Sequence, residues 1–277
     1  MKDKILKKIT IPESCQKIAL CGGPYNNFEA VKSFLKETES YEFRFCLGDL
    51  GGFGPFPDRT IELIKNSNLI CIQGNYDYAV GHSEPECGCG YLDPRDRHFA
   101  QVSFDYTLKN TSEKHKPWLR SLPKQIELSW GQKKILLCHG SPNEVNEFVW
   151  DSETSDDKVN YWLEKFKVDG FCATHSGLPW LRETTIGFWM NVGVLGRPAH
   201  EGHRQVYYAT IDRNQEILRP RLHLLSYDYQ SLIAAMIEEQ LPVEFSQAVE
   251  RGVWTTCSQI LPEAERQVQP RLKNQVL

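Results

Sequence analysis

Four side chains of this sequence have the types to hold a metal ion together: Asp49 in CLGDLGGFGP, Asn75 in GNYD, His139 in CHGSP and His175 in THSGLP. Two imidazoles, a carboxylate and an amide oxygen form a donor set of intermediate softness. It suits Mn, Fe, Zn or Ni better than Ca or Mg. Each donor closely follows a short apolar run, so each is expected at the carboxyl end of a strand, where open α/β sheets bind their ligands.

The elements that must place these donors alternate between strand-like runs and helix-period stretches. KIALC from Lys17, EFRFCL from Glu42 and NLICIQ from Asn68 predict strands, with helices over FEAVKSFLKET and DRTIELIKN between them. This βαβαβ rhythm implies a parallel sheet with crossover helices. A polar loop from Gly81 to Asp96 leads to a helix over HFAQVSFDYTLKN. QIELSW and KKILLCH, joined by Gly131-Gln132, predict a hairpin. A helix over DDKVNYWLEKFK and a strand over DGFCAT follow. From Leu181 to Leu225 the pattern becomes a β-meander, followed by helices over SLIAAMIEEQ and EFSQAVERG. We expect one mixed α/β domain over 15–252 and a polar tail over 253–277.

Of the 277 residues 40% are hydrophobic and 25% charged, an ordinary globular mix with enough apolar material for a core without disulfide staples. The net charge of −4 gives no footprint of a nucleic-acid binder or of a protein drawn to anionic membranes. MKDKILKKITIPES lacks the apolar stretch of a secretory signal, and no run of about 18 apolar residues provides a membrane span. Nine cysteines is an odd number, and Cys46, Cys71, Cys138 and Cys172 lie in strand-like runs where a thiol behaves as a small hydrophobe. A reduced, cytoplasmic protein is expected.

The series GD, GN, HG and H-x-G-x-P, in this order and after these strands, resembles the calcineurin-like metallophosphoesterases. The similarity is greatest to the small bacterial and archaeal phosphodiesterase group whose first motif reads D-x-H-G-N-L-E-A. Asn27-Phe28-Glu29-Ala30 corresponds to N-L-E-A, ILLCHGSPN to the fourth block, THSGLP to G-H-T-H-x-P, and MNVGVLGRP to N-P-G-S-x-G-x-P. The likeness runs from about Lys17 to Gly252. It implies an α/β/β/α sandwich with mixed sheets and hydrolysis of a phosphoester by a metal-activated water. It also implies two metals about 3.5–4 Å apart, bridged by the Asp of the GD motif.

The departures fall on one side of that implied site. The donors of the first metal correspond to Gly23, Tyr25 and Gly177, none a usual ligand. The donors of the second correspond to Asp49, Asn75, His139 and His175, and all four are present. Tyr76 stands where the family carries its catalytic His, and Asp77 is retained beside it. The resemblance so altered implies one divalent transition metal (Mn, Fe, Zn or Ni) and no second one. Asp49, Tyr76 and Asp77 are the catalytic candidates. Tyr76 is a poorer acid than His, because a phenol titrates near pH 10, so slow turnover is expected.

Each of these residues also has a plainer reading. The four donors could be satisfied by local hydrogen bonds, and Tyr25 and Tyr76 could fill vacated volume instead of supplying phenolate. Cys87 and Cys89, with Cys21, could restore thiolate ligands or be incidental to a glycine-rich lid; one C-x-C pair does not define a zinc site. GHSEP, from Gly81, follows no strand and lacks the last Gly of a nucleophile elbow. Two classes of function stand. One is a phosphoester hydrolase with a reduced site, acting on a small phosphodiester, a nucleotide or a phosphoprotein. The other is a non-catalytic relative that binds a metal or a phosphorylated ligand and regulates a partner.

Overall fold

Ile18 and Leu20 alternate with Ala19 and Cys21 along one strand, and all four are buried, so both faces of that strand must be covered. The computed structural model, which describes residues 6–270, shows what covers them. The strands are β1 (Leu6–Ile11), β2 (Lys17–Cys21), β3 (Phe43–Cys46), β4 (Leu69–Cys71), β5 (Gln125–Trp130), β6 (Lys133–Leu137), β7 (Gly170–Ala173), β8 (Trp180–Glu183), β9 (Phe188–Asn191), β10 (Val206–Asn214) and β11 (Ile217–Leu225). The helices are α1 (Phe28–Glu37), α2 (Pro57–Lys65), α3 (Asn75–His82), α4 (Pro94–Asn110), α5 (Lys116–Ser121), α6 (Asp156–Phe166), α7 (Tyr229–Glu238) and α8 (Val243–Arg251).

One sheet has the order β11-β10-β2-β3-β4 and the other β1-β5-β6-β7-β9-β8. Ile18, Leu20, Phe45 and Leu47 from the first meet Leu128, Ile135, Leu137 and Met190 from the second in a core between the sheets. Ala19, Cys21 and Cys46 face the opposite way, under Val31, Phe34, Ile61 and Phe104 of the helices. On the far side Val159, Trp162 and Leu163 of α6 pack on Phe171 and Trp189. The mixed α/β class and the α/β/β/α layering are as expected, and β2, β3 and β4 run parallel.

Several features differ from the sequence reading. β1 was not foreseen: only Ile11 of its six residues is buried, because it is a lysine-bearing edge strand held by parallel pairing to β5. Helix α4 begins at Pro94, where the Asp93 carboxylate caps the N–H groups of Arg95 and Asp96. The expected meander is divided, with β8 and β9 in one sheet and β10 and β11 in the other; alternation reveals a buried strand but not which sheet it joins.

The expected tail is a wall of the molecule. Trp254, Thr256, Cys257, Leu261 and Glu265 are buried, and the N–H groups of Ser258 and Ile260 donate to the Asp96 carboxylate. Its polar average concealed a few large anchors. Residues 271–277 of that tail lie outside the described residues.

Candidate metal centre

Two loops carry the acidic half of the site, and glycine lets them touch. Gly48 has φ +88°, and a Cβ there would press into the backbone of Gly74; a Cβ at Gly74 would press into the Asp49 carboxylate. Asp49 itself sits in the left-handed region at φ +58°. Asp77 pins this arrangement. Its carboxylate accepts from the N–H groups of Asp49 at 2.8 Å, Leu50 at 2.9 Å and Gly74 at 2.8 Å. It lies in the first turn of α3, so the helix dipole favours its negative charge. Burial and the neighbouring Asp49 charge push its carboxyl up to about 7. Asp77 is therefore a positioning residue.

The basic half comes from the ends of β6 and β7. The Nδ1 of His139 donates to the Leu47 carbonyl at 2.6 Å, and the Nε2 of His175 donates to the Cys89 carbonyl at 3.3 Å. A carbonyl only accepts, so these bonds fix the tautomers and leave His139 Nε2 and His175 Nδ1 facing inward. Those two nitrogens are 3.1 Å apart, and His139 Nε2 is 3.2 Å from Asp49 Oδ2. One ligand atom from each of Asp49, His139 and His175 lies within 4.8 Å of the others. Burial alone would raise the Asp49 carboxyl, but the His139 imidazole holds it below its ordinary value. Burial and the neighbouring His139 push His175 down to about 3, which keeps its imidazole neutral and able to donate a lone pair.

Asn75 is the fourth candidate donor. Its amide NH₂ donates to the Cys87 carbonyl at 3.0 Å and meets Cys89 Sγ at 3.4 Å. Its Oδ1 is buried and has no hydrogen-bond partner. A buried amide oxygen without a partner suits a cation ligand, and with two inward imidazole nitrogens and a carboxylate it would make a donor set of intermediate softness.

The positions that correspond to the family's first metal are closely packed. A Cβ at Gly23 would lie 2.6 Å from Val194 Cγ1 and 2.8 Å from the Tyr25 ring; one at Gly177 would lie 3.3 Å from the Trp254 ring. Both glycines have positive φ, +35° and +75°. Burial and the Asp49 charge push the Tyr25 phenol well above its ordinary value. The Tyr76 hydroxyl lies within hydrogen-bond distance of the Ala100 carbonyl and Ser103 Oγ, both at 3.2 Å. These contacts tie its hydroxyl to α4, and burial raises its pKa. Cys87 and Cys89 are joined in a disulfide and supply no thiolate; the other seven cysteines are free and buried. This corrects the expectation of a fully reduced set. The lid reading of their loop holds, since Cys87 and Cys89 carbonyls cover Asn75 and His175.

The family model described as calcineurin-like phosphoesterase matches residues 16–191, more than half of the chain and all four donors. The chain belongs to the calcineurin-like phosphoesterases. An uncharacterized protein of Methanocaldococcus jannaschii is 27% identical over 242 residues, spanning 81% of this chain and 93% of its own. Two solved structures share the fold. A hypothetical protein from Pyrococcus horikoshii OT3 has a TM-score of 0.72 at 22% identity, covering 85% of this chain and 98% of that one. A metallophosphoesterase from Sphaerobacter thermophilus has a TM-score of 0.68 at 21% identity, covering 86% and 100%. Membership gives the coarse activity: phosphoester hydrolysis that depends on a divalent metal. Among the described residues no helix is long and apolar enough to cross a membrane.

In this calcineurin-like phosphoesterase the centre opens on a cleft of about 50 Å³ lined by Tyr25, Asp49, Tyr91, His175, Arg197 and Phe245. The sequence reading missed Tyr91, Arg197, Phe245 and Trp254. Arg197 was the findable one: it stands in the loop after an apolar strand, as the four donors do. Trp254 and Cys257 come from the segment read as a tail.

Proposed function

We propose that the chain hydrolyses phosphoesters with a single divalent transition metal held by Asp49, Asn75, His139 and His175. The observation that carries this is the convergence of lone pairs there: two fixed imidazole tautomers aimed at a buried carboxylate, with the Asn75 oxygen left unpaired. A divalent ion in that place supplies positive charge to a phosphoryl oxygen and lowers the pKa of a water. The protein's own part is to fix the donors. Leu47 and Cys89 orient the imidazoles, Asp77 locks the strained Asp49 turn, and the lid restricts access of bulk water.

The cleft's size bears on the substrate. One water needs about 10–15 Å³ of such space, so 50 Å³ has room for a phosphoryl group. A small phosphodiester or the phosphate end of a small ligand is the substrate class that fits. With one metal instead of two, slow turnover or activated substrates are expected.

A second reading, a non-catalytic protein that binds metal or phosphate, draws on the packing of Tyr25 and Trp254 against the positions of the absent donors. Metal analysis and turnover separate the two. The protein is purified without chelator, its metal counted by mass spectrometry, and an aryl phosphodiester assayed with added Mn. One metal per chain with hydrolysis abolished by His139→Ala supports the proposal. One metal with no turnover across a broad substrate panel favours the binding protein, and two metals per chain overturn the mononuclear reading.

A further inference from the structure

A buried guanidinium without a carboxylate is costly unless another group completes it. Arg197 is 6% exposed, on the loop that crosses from β9 to β10. Its guanidinium carbon stands 3.5 Å from the centroid of the Trp254 ring, and Nη1 reaches the Thr256 carbonyl only at 3.5 Å. Its Nε is buried with no partner. Among the described residues the arginine ion pairs belong to Arg182, Arg213 and Arg221. Arg44 is also buried, but it donates to the Leu35 carbonyl in the last turn of α1, where a helix end favours a cation. Arg197 has neither compensation.

Its position matters as much as its bareness. Arg197 lines the same cleft as Asp49 and His175. The Trp254 ring beneath it is the ring that blocks Gly177, and a Cβ on the preceding Gly196 would press into Tyr25. The guanidinium therefore lies on the side of the cleft whose metal donors are missing. We infer that Arg197 is the anion receptor of this cleft, its planar fork taking two nonbridging oxygens of the substrate's phosphoryl group on the side that lacks metal donors. The assignment rests on the reading of the cleft as a phosphoester site and deepens it. A fixed cation replaces part of the positive charge that a second metal would bring, and the stack on Trp254 holds the fork in one plane.

Inorganic phosphate is the probe, titrated into Mn-loaded wild type, Arg197→Met and Arg197→Lys. Thermal denaturation is followed and bound metal is counted in each sample. Phosphate should raise the wild-type melting temperature in a saturable way. Arg197→Met should bind phosphate about 10- to 100-fold more weakly, with Arg197→Lys between the two and metal content unchanged in all three. Arg197→Gln serves the same purpose if the Met variant does not fold. Equal phosphate affinity in wild type and Arg197→Met overturns the assignment, as does a metal-bearing wild type that ignores phosphate. A wild type that holds no metal instead sinks the mononuclear proposal, and phosphate titration of that metal-free protein still decides Arg197.

Discussion

The two halves of the cleft are built from opposite materials. On the side of Asp49, His139 and His175, ligand atoms converge and main-chain carbonyls fix each imidazole. On the other side, the Tyr25 ring and Val194 crowd the Cβ position of Gly23, and the Trp254 ring crowds that of Gly177. The difference teaches how packing decides where a donor can stand. Neighbouring side chains crowd the Cβ positions of Gly23 and Gly177, and φ values of +35° and +75° disfavour a side chain at either. The intact half has no such slack, because each donor is also tied to the loop that carries its neighbour.

The largest effect should come from the polar half. His139→Ala removes the one donor that faces both Asp49 and His175. Bound metal should fall from one per chain to near zero, and phosphodiester hydrolysis by at least about 10³-fold. Retained metal with full activity would show that the centre lies elsewhere.

Next comes an attempt to rebuild the apolar half. The combined variant Gly23→Asp, Tyr25→His, Tyr76→His, Gly177→His leaves Trp254 3.3 Å from the position of a Cβ at 177. It should lose about 3 kcal/mol or more of stability in denaturant titration and still hold one metal. A second bound metal, with stability intact, would mean that the apolar side yields easily.

Asp77→Asn tests what locks the polar half. An amide replaces a carboxylate that accepts three backbone N–H bonds, so one of those donors faces an NH₂ group. The expected loss is about 2 kcal/mol in thermal or chemical unfolding, with weaker metal binding as the Asp49 turn loosens. A variant as stable as wild type would remove Asp77 from its positioning role.

The same division explains what the sequence disclosed. The four candidate donors were legible because each closely follows an apolar strand run, and the mixed α/β class followed from βαβαβ and the later strands, while the sandwich layering was implied by the family resemblance. Arg197 and Trp254 were not legible as a pair. Their contact depends on a loop that changes sheets and on a C-terminal segment folding back over it, and neither has a periodic signal. β1 escaped notice for a related reason: backbone pairing at a sheet edge demands little burial, so its lysines masked it. The Cys87–Cys89 disulfide likewise depends on how a lid loop closes.

The smallest expected effect is the one that separates filling space from doing chemistry on the apolar side. Tyr76→Phe keeps the ring that packs edge-on against Phe104 and removes only the hydroxyl near Ala100 and Ser103. If that hydroxyl is structural, stability drops by about 1 kcal/mol and the rate on an aryl phosphodiester stays within about threefold of wild type. If it were the proton donor to the leaving group, the rate would instead fall by about 10² or more, and most for substrates with poor leaving groups. A leaving-group series on Tyr76→Phe and wild type, run with equal metal content, distinguishes these outcomes. A slope that steepens only in the variant would place Tyr76 in the chemistry and make the two halves of the cleft less unlike than their packing suggests.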